Sequence, residues 1–276
     1  NLIVRCDVCG LIVIWRKKSI ESRGGETAIR IGMEYISETG LRLDGRRVLE
    51  SRNIFCEIGI NPKSDGSARF EIGNTKCIAS VYGPREARYH RDTIHDRAIV
   101  KCEFNSVHFS QSTRTTSRKN DRRSNDSAEI IRETVESVLL LHLYPRSQID
   151  ISVEVLQSDG GELAAAINCV SLALIDSGCP MKDFICASTS GLIDNTPLID
   201  INYAERGANG PVLLIAALPK SQKIITMQME HKLELKNLDR CIELGLQGVS
   251  QVYEILQETV RKNALQKFQS REQLGV

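Results

Sequence analysis

Short β-prone runs followed by an apolar-periodic helix occur twice along this 276-residue chain, and this order constrains the fold most strongly. In the first half, we predict a hairpin from 68–72 and 76–82 around the turn residues Gly73 and Asn74. The remaining first-half elements are predicted as a strand at 98–104, a helix at 127–143 closed by Pro145, a strand at 149–156 and a helix at 164–175.

The second half repeats this order, with strands predicted at 184–192, 197–202, 212–217 and 223–230 before a closing helix at 235–264. Strands grouped before helices predict an α+β domain with a pseudo-repeat, because a doubly wound parallel sheet requires strict alternation. We place this domain at residues 33–265. We expect residues 1–32 to be a disordered or artefactual extension and residues 266–276 to be a tail.

The charge and the cysteine content limit the kinds of binding site that this chain can have. Lys and Arg total 36 against 35 Asp and Glu, so any nucleic-acid contact must come from a local cluster of cations. Nine cysteines in mostly apolar surroundings fit buried thiols of a soluble, intracellular protein better than a disulfide framework. Cys6 and Cys9 form a lone CxxC without a second pair at zinc-site spacing. We therefore predict no metal and no cofactor.

Two clusters of cations could contact phosphate. The first lies in a long polar loop and comprises Arg114, Arg118, Lys119, Arg122 and Arg123. The second follows the hairpin and comprises Arg85, Arg88, His90 and Arg91, with Glu86 and Asp92 between them. Either cluster could instead be a solvated, salt-bridged loop, and composition alone leaves both interpretations open.

Two further features could hold an anion or a metal. Gly160 and Gly161 lie between a strand and a helix and could present backbone N–H groups to phosphate, but Glu162 at the helix start would repel it. Asp194, Asp200 and Glu205 could be paired acids. However, the odd spacing of Asp200 and Glu205 would place them on opposite faces of a strand.

Five segments together resemble the RNase PH family, and especially its exosome ring subunits. These segments are RLDGR at 42–46, GNTK at 73–76, YGPRE at 82–86, VLQSDGG at 155–161 and SLALIDSGCPM at 171–181. The resemblance runs in order from about residue 33 to residue 265. It implies the RNase PH domain, an α+β fold of the ribosomal protein S5 domain 2-like type with two pseudo-repeated ββαβ halves.

The resemblance also implies an assembly and a location. Relatives form a ring of six RNase PH-like subunits, arranged as heterodimers, topped by S1/KH cap proteins, through which RNA threads toward a hydrolytic nuclease. Nucleus, nucleolus and cytoplasm are the expected compartments, and no membrane association is expected. Arg122 and Arg123 match paired arginines that grip the RNA backbone in relatives. Arg118, Arg85, Arg88 and Arg91 are further expected RNA contacts.

The catalytic positions of this family are degenerate here. Active relatives carry a hydroxyl residue and an Arg for phosphate where this chain has Glu162 and Leu163. They carry two acids where it has Arg206 and Val212. The resemblance therefore implies a non-catalytic, RNA-binding ring subunit. An active phosphorolytic 3′→5′ exoribonuclease is the alternative, and another guanidinium closing over Gly160 and Gly161 with two acids facing it would overturn the non-catalytic interpretation.

Overall fold

The computed structural model describes residues 3–5, 12–14, 35–37, 40–86, 94–111, 114, 121–193, 195–208 and 210–274. The chain forms two compact units, residues 1–35 and residues 36–276. In the first unit, β1 (Ile3–Arg5) pairs with β2 (Ile12–Ile14) in an antiparallel hairpin. In the described residues, no helix is both long enough and apolar enough to cross a membrane.

The second unit begins with a five-stranded sheet in the order β3-β4-β5-β7-β6. Its strands are β3 (Ile54–Ile58), β4 (Gly66–Ile72), β5 (Thr75–Glu86), β6 (Ile99–Ser106) and β7 (Ser147–Gln157). All neighbours are antiparallel except β6 and β7, which are parallel and therefore need the crossover helix between them.

The predicted hairpin is confirmed as β4 and β5, joined where Ile72 pairs with Thr75. Gly73 has a φ of +56°, which a glycine adopts without the penalty that a Cβ would impose. Alternate residues of β5, namely Cys77, Ala79 and Val81, are fully buried. This period of two identifies one face of the sheet as the face that lies against the core.

The crossover helix differs from the prediction at both ends. It is α1 (Arg122–Val138), so Pro145 does not terminate it. The backbone becomes extended at Leu139, which forms a bridge with Met181, and a short 3-10 turn follows at Leu141–Leu143. Leu139 and Leu141 are both buried although they lie in this irregular segment. Because both are apolar, their spacing in the sequence resembled that of a continuing helix.

Helix α2 (Glu162–Asp176) lies at the centre of the unit and packs on β4, β5 and β8. It is buried on nearly every side, and its alanines allow close approach to both sheets. The second sheet has the order β11-β10-β8-β9 and is antiparallel. Its strands are β8 (Cys186–Ile193), β9 (Thr196–Ile199), β10 (Val212–Leu218) and β11 (Lys223–Met229).

Two helices complete the second half. The short α3 (Tyr203–Arg206) follows β9, which ends at Ile199 rather than at the predicted residue 202. Helix α4 (Leu235–Leu274) packs on β8 and β10 and continues past residue 264, so residues 266–274 are helical where a tail was expected. Two sheets, each packed with helices, confirm the predicted α+β class.

Candidate functional site

The Gly160–Gly161 turn joins β7 to α2 and lies against the backbone that follows β9. Both glycines have positive φ, +83° and +69°. A Cβ at Gly160 would lie 2.6 Å from the carbonyl oxygen of Ile201, so the turn and residues 201–202 can approach this closely only with glycine. The turn therefore occupies a packed junction between the two halves of the unit.

The first two positions of α2 are Glu162 and Leu163, the residues predicted to stand at the phosphate-binding positions of the family. The Glu162 carboxylate accepts a hydrogen bond from the Ser158 hydroxyl. Leu163 is half-buried and packs against the hydrophobic core. A carboxylate in the first turn suits the helix dipole, but it opposes the approach of an inorganic anion. This end of α2 thus presents negative charge and hydrocarbon.

Arg52 is a site residue that sequence reasoning missed, and its guanidinium lies beside the glycine turn. Nη1 donates to the carbonyl oxygen of Asp159 at 2.8 Å, and Nη2 donates to that of Gly160 at 3.2 Å. Nε and Nη2 also bind the two carboxylate oxygens of Asp200 at 2.8 and 2.7 Å. A longer bond of 3.5 Å from Nη1 reaches the Thr75 hydroxyl.

These contacts engage every nitrogen of a side chain that is only 7% exposed. Because a guanidinium has five N–H donors, Arg52 has none left over for a phosphate oxygen. Burial alone would raise the pKa of Asp200, but the hydrogen bonds and charge of Arg52 hold it below its ordinary value. A guanidinium with two nearby acids, Asp200 and Asp159, is therefore present, but as a closed structural network.

A second buried arginine connects Glu205 to the same network. Arg42 Nε donates to Glu205 Oε1 at 2.6 Å, and Nη2 binds the other carboxylate oxygen. Arg42 also donates to the carbonyl oxygens of Ile199 and Asp200. Glu205 is 1% exposed, so its carboxylate is not accessible as a general acid.

The expectation that Asp200 and Glu205 diverge was wrong. They lie on one network because the chain leaves β9 at Ile199 and enters α3, so strand alternation does not apply between them. Asn202 and Glu205 form a capping box at the start of α3. Asp194 lies outside the described residues.

The two other positions predicted to be degenerate are Arg206 and Val212. Arg206 ends α3 and pairs with Glu230, its Nη2 lying 2.7 Å from Oε1 and 2.5 Å from Oε2. Val212 begins β10, where its backbone pairs with Gly191 and its side chain is half-buried. These positions therefore offer a cation and a hydrocarbon side chain.

The predicted basic residues have different environments. Arg122 and Arg123 are exposed in the first turn of α1, which contains no acidic residue. Among the described residues, neither arginine forms an ion pair, and both add to the positive end of the helix dipole. Arg114 is also exposed, whereas Arg118 lies outside the described residues.

Arg85 is partly neutralised. It pairs with Asp150 at 3.1 Å and lies 5.2 Å from the centre of the Tyr82 ring. Arg88 and Arg91 lie outside the described residues.

A cavity of about 570 Å³ opens beside the glycine turn. Its lining includes Asn74, Lys76, Phe109, Gln157, Asp159 and Tyr203. Phe109 and Tyr203 are unusually exposed for aromatic side chains, at 73% and 58%. The sequence signal for Phe109 was a lone aromatic residue in a polar loop.

Metal and thiol chemistry receive no support from the part of the chain that the structure describes. No group of three or more His, Cys, Asp or Glu residues among these positions could hold a metal ion. Burial raises the pKa of Cys56 to about 12, so its thiolate is scarce at neutral pH. Cys6 and Cys9 lie outside the described residues.

Comparison with known proteins identifies the family. Residues 50–180 match domain 1 of the 3′ exoribonuclease family, and residues 183–248 match its domain 2. The exosome complex component RRP41 homolog of Arabidopsis thaliana is 43% identical over 85% of this chain and 97% of its own length. Human exosome complex component RRP41 is 42% identical, over 84% and 95%. The Rrp41 of Thermococcus kodakarensis is 37% identical, over 85% and 94%.

Solved structures agree on the fold. Rice Rrp46 superposes with a TM-score of 0.71 over 79% of this chain and all of that chain, at 23% identity. A chain of the Archaeoglobus fulgidus exosome with RNA bound to the active site gives 0.69 over 78% and 92%, at 21% identity. With the family match covering both halves of the unit, this chain belongs to the RNase PH family of 3′ exoribonucleases.

Proposed function

We propose that this chain is a non-catalytic, RNA-binding core subunit of an RNA exosome, contributing to 3′→5′ processing and degradation of rRNA and mRNA. The observation that carries the proposal is the Gly160–Gly161 junction. Glu162 stands at the start of α2, and the one guanidinium described beside the turn, that of Arg52, is bonded at every nitrogen. An attacking phosphate would meet a carboxylate there, and the Arg52 guanidinium would have no N–H donor left for it.

Electrostatics supports an inert site. A phosphate about 4 Å from a carboxylate is destabilised by about 1–4 kcal/mol per unit charge, depending on the local dielectric. Phosphorolysis also needs a group that protonates or stabilises the leaving oxygen. Arg206 and Val212 stand at the two acid positions, and the nearby Glu205 is buried under Arg42. None of these three residues supplies an accessible acid.

The position of Arg52 is the one feature that favours an active phosphorolytic exoribonuclease. To bind phosphate, Arg52 would have to release Asp200 in a buried environment. Removing one partner of a buried ion pair typically costs about 3–5 kcal/mol. The binding of phosphate would have to supply that free energy, although the phosphate would also be approaching the Glu162 carboxylate. The balance favours Arg52 as a residue that holds the turn.

RNA binding is supported by the exposed cations at the start of α1. Arg122 and Arg123 have no carboxylate partner among the described residues, and their charges add to the helix dipole. We infer that these arginines grip the RNA backbone inside a hexameric ring of RNase PH-like subunits. Cap proteins with S1/KH domains and a hydrolytic nuclease would complete this assembly in the nucleus, nucleolus and cytoplasm.

The catalytic part of the proposal is tested with the full chain and its ring partner. The complex is incubated with a 3′-tailed RNA, inorganic phosphate and Mg²⁺, and nucleoside diphosphates are measured by chromatography. We expect no release above the phosphate-free background. Release that depends on phosphate would establish the active alternative.

The binding part is tested by filter binding of the same complex to single-stranded RNA. Arg122→Ala/Arg123→Ala should weaken binding and make the dependence of log affinity on log salt shallower by about 1.4, the value for two phosphate contacts. Lys236→Ala/Arg240→Ala removes two exposed cations of α4 and serves as the matched control. Equal losses of RNA affinity in the two variants would show that the effect comes from net charge alone. That result would contradict the assignment of Arg122 and Arg123 as RNA contacts.

A further inference from the structure

We propose that Arg206 and Tyr203, on one side of α3, form a contact for single-stranded RNA that Glu230 weakens in the free protein. The inference rests on the proposed RNA-binding function and adds a site to it. Arg206 would contact a phosphodiester, and Tyr203 would stack on an unpaired base.

Glu230, the partner of Arg206, uses only some of the N–H donors of the guanidinium. Nη2 alone contacts the Glu230 carboxylate, at 2.7 and 2.5 Å. Nε and Nη1 donate to no group among the described residues, and the side chain is 30% exposed. The fork that binds two phosphate oxygens pairs Nη2 with Nε or with Nη1, so it becomes available when Glu230 leaves, whereas Nε and Nη1 can each donate one bond while Glu230 stays. Arg206 therefore retains donors for a phosphate.

Tyr203 supplies an aromatic face in the same helical turn. Residues three apart lie on the same side of a helix, so Tyr203 and Arg206 are neighbours on α3. Tyr203 is 58% exposed and lines the cavity together with Phe109, which is 73% exposed. Exposed aromatic side chains are the usual stacking platforms for unpaired bases. A paired base in a duplex would not be available for this contact.

The buried network holds α3 in place. Glu205 lies between Tyr203 and Arg206 in the chain, and Arg42 anchors its carboxylate. The Tyr203 backbone N–H donates to the Asp159 carbonyl oxygen at 3.2 Å, which ties α3 to the turn before α2. Because the helix is already positioned, binding would not require the ordering of a loop.

Glu230 can give way to RNA because the ion pair is exposed to solvent. The Glu230 side chain is 38% exposed, and pairs in such surroundings contribute little net stability. RNA brings several phosphates and releases counterions when it binds, so it competes effectively with one carboxylate. While Glu230 stays paired it occupies Nη2 of Arg206, so the removal of its charge should strengthen binding through Arg206.

The test uses the full chain with its ring partner and a fluorescein-labelled 12-nucleotide oligoadenylate, with an RNA duplex for comparison. We expect Glu230→Gln to tighten binding of the single strand about threefold and Arg206→Gln to weaken it about threefold. Arg206→Gln should also make the salt dependence shallower by about 0.7, the value for one phosphate contact on a single strand. Glu230→Gln/Arg206→Gln should show no gain over Arg206→Gln.

Tyr203→Ala should weaken single-strand binding about fivefold or more without changing the salt dependence, because stacking carries no charge. Tyr203→Phe keeps the ring and should bind like the wild type. Glu258→Gln, which breaks an exposed pair with Lys262, is the matched control for charge removal and should not match the gain of Glu230→Gln. Thermal unfolding of each variant verifies that it is folded.

The outcomes separate this inference from the proposed function. If the wild type binds RNA through Arg122 and Arg123 but Arg206→Gln and Tyr203→Ala bind equally well, the α3 contact is wrong and the function stands. If the wild-type complex does not bind RNA, both are wrong. An equal gain from Glu258→Gln and Glu230→Gln would also overturn the local contact.

Discussion

The carboxylate of Asp200 binds the guanidinium of Arg52 through two hydrogen bonds of 2.7 and 2.8 Å, across 148 residues of sequence. Asp200 ends the β9 region, and Arg52 precedes β3, so this pair joins the two halves of the unit at the glycine turn. A site that could have been open to phosphate is thereby filled by a structural contact.

Removal of one member of this pair should be costly. We expect Arg52→Ala to lower the free energy of unfolding by about 3–5 kcal/mol, because Asp200 would remain buried without its partner. Urea denaturation of the complex, followed by circular dichroism, measures the loss. Arg52→Met/Asp200→Asn removes both charges, keeps at the positive φ of Asp200 a residue that tolerates it, and should lose less than Arg52→Ala. An equal or greater loss in the double variant would contradict this account.

The same pair predicts a pH dependence of stability. The pKa of Asp200 is lower in the folded chain than in the unfolded chain, so the folded state binds the proton less tightly. Its contribution is fully present above the ordinary Asp pKa of about 3.9 and is lost as the pH falls toward the lower folded value. Asp200→Asn should flatten the decline of the unfolding free energy as the pH falls below about 4. An unchanged slope would rule Asp200 out as its source.

The glycine turn provides a stability test with an internal control. Gly160→Ala places a Cβ 2.6 Å from the Ile201 carbonyl oxygen and also imposes positive φ on an alanine. Gly178→Ala imposes positive φ but meets no atom within 4 Å. We expect a loss of about 1–2 kcal/mol from Gly178→Ala, due to backbone strain alone, and a larger loss from Gly160→Ala. Chemical denaturation of the two variants checks the order, and the reverse order would show that the junction can relax.

Phosphate affinity tests the role of charge at the start of α2. Glu162→Thr/Leu163→Arg replaces the carboxylate with a hydroxyl and adds a cation. We expect inorganic phosphate to bind this variant more tightly by at least about 1–4 kcal/mol, the size of one unit interaction, because one repulsion is removed and one attraction is gained. Isothermal titration calorimetry measures the change, and Glu162→Gln separates lost repulsion from the added cation. Unchanged phosphate binding would mean that Glu162 and Leu163 do not control access.

The sequence by itself determined the class of fold, and it predicted that the catalytic positions of the family are degenerate. The alternation in β5 and the turn residues Gly73 and Asn74 predicted the hairpin, because strand and turn signals lie within a few neighbouring residues. The motif positions Glu162, Leu163, Arg206 and Val212 were likewise readable in order along the chain.

Only the tertiary structure decided what surrounds those positions. Arg42 and Glu205 are 163 residues apart, and no local period reveals that their side chains meet in the interior. The end of α1 was misplaced for a related reason, because Leu139 and Leu141 are buried by Met181 and its neighbours rather than by a continuing helix. The spacing of apolar residues along the sequence indicates which residues are buried. Long-range packing decides which other residues bury them.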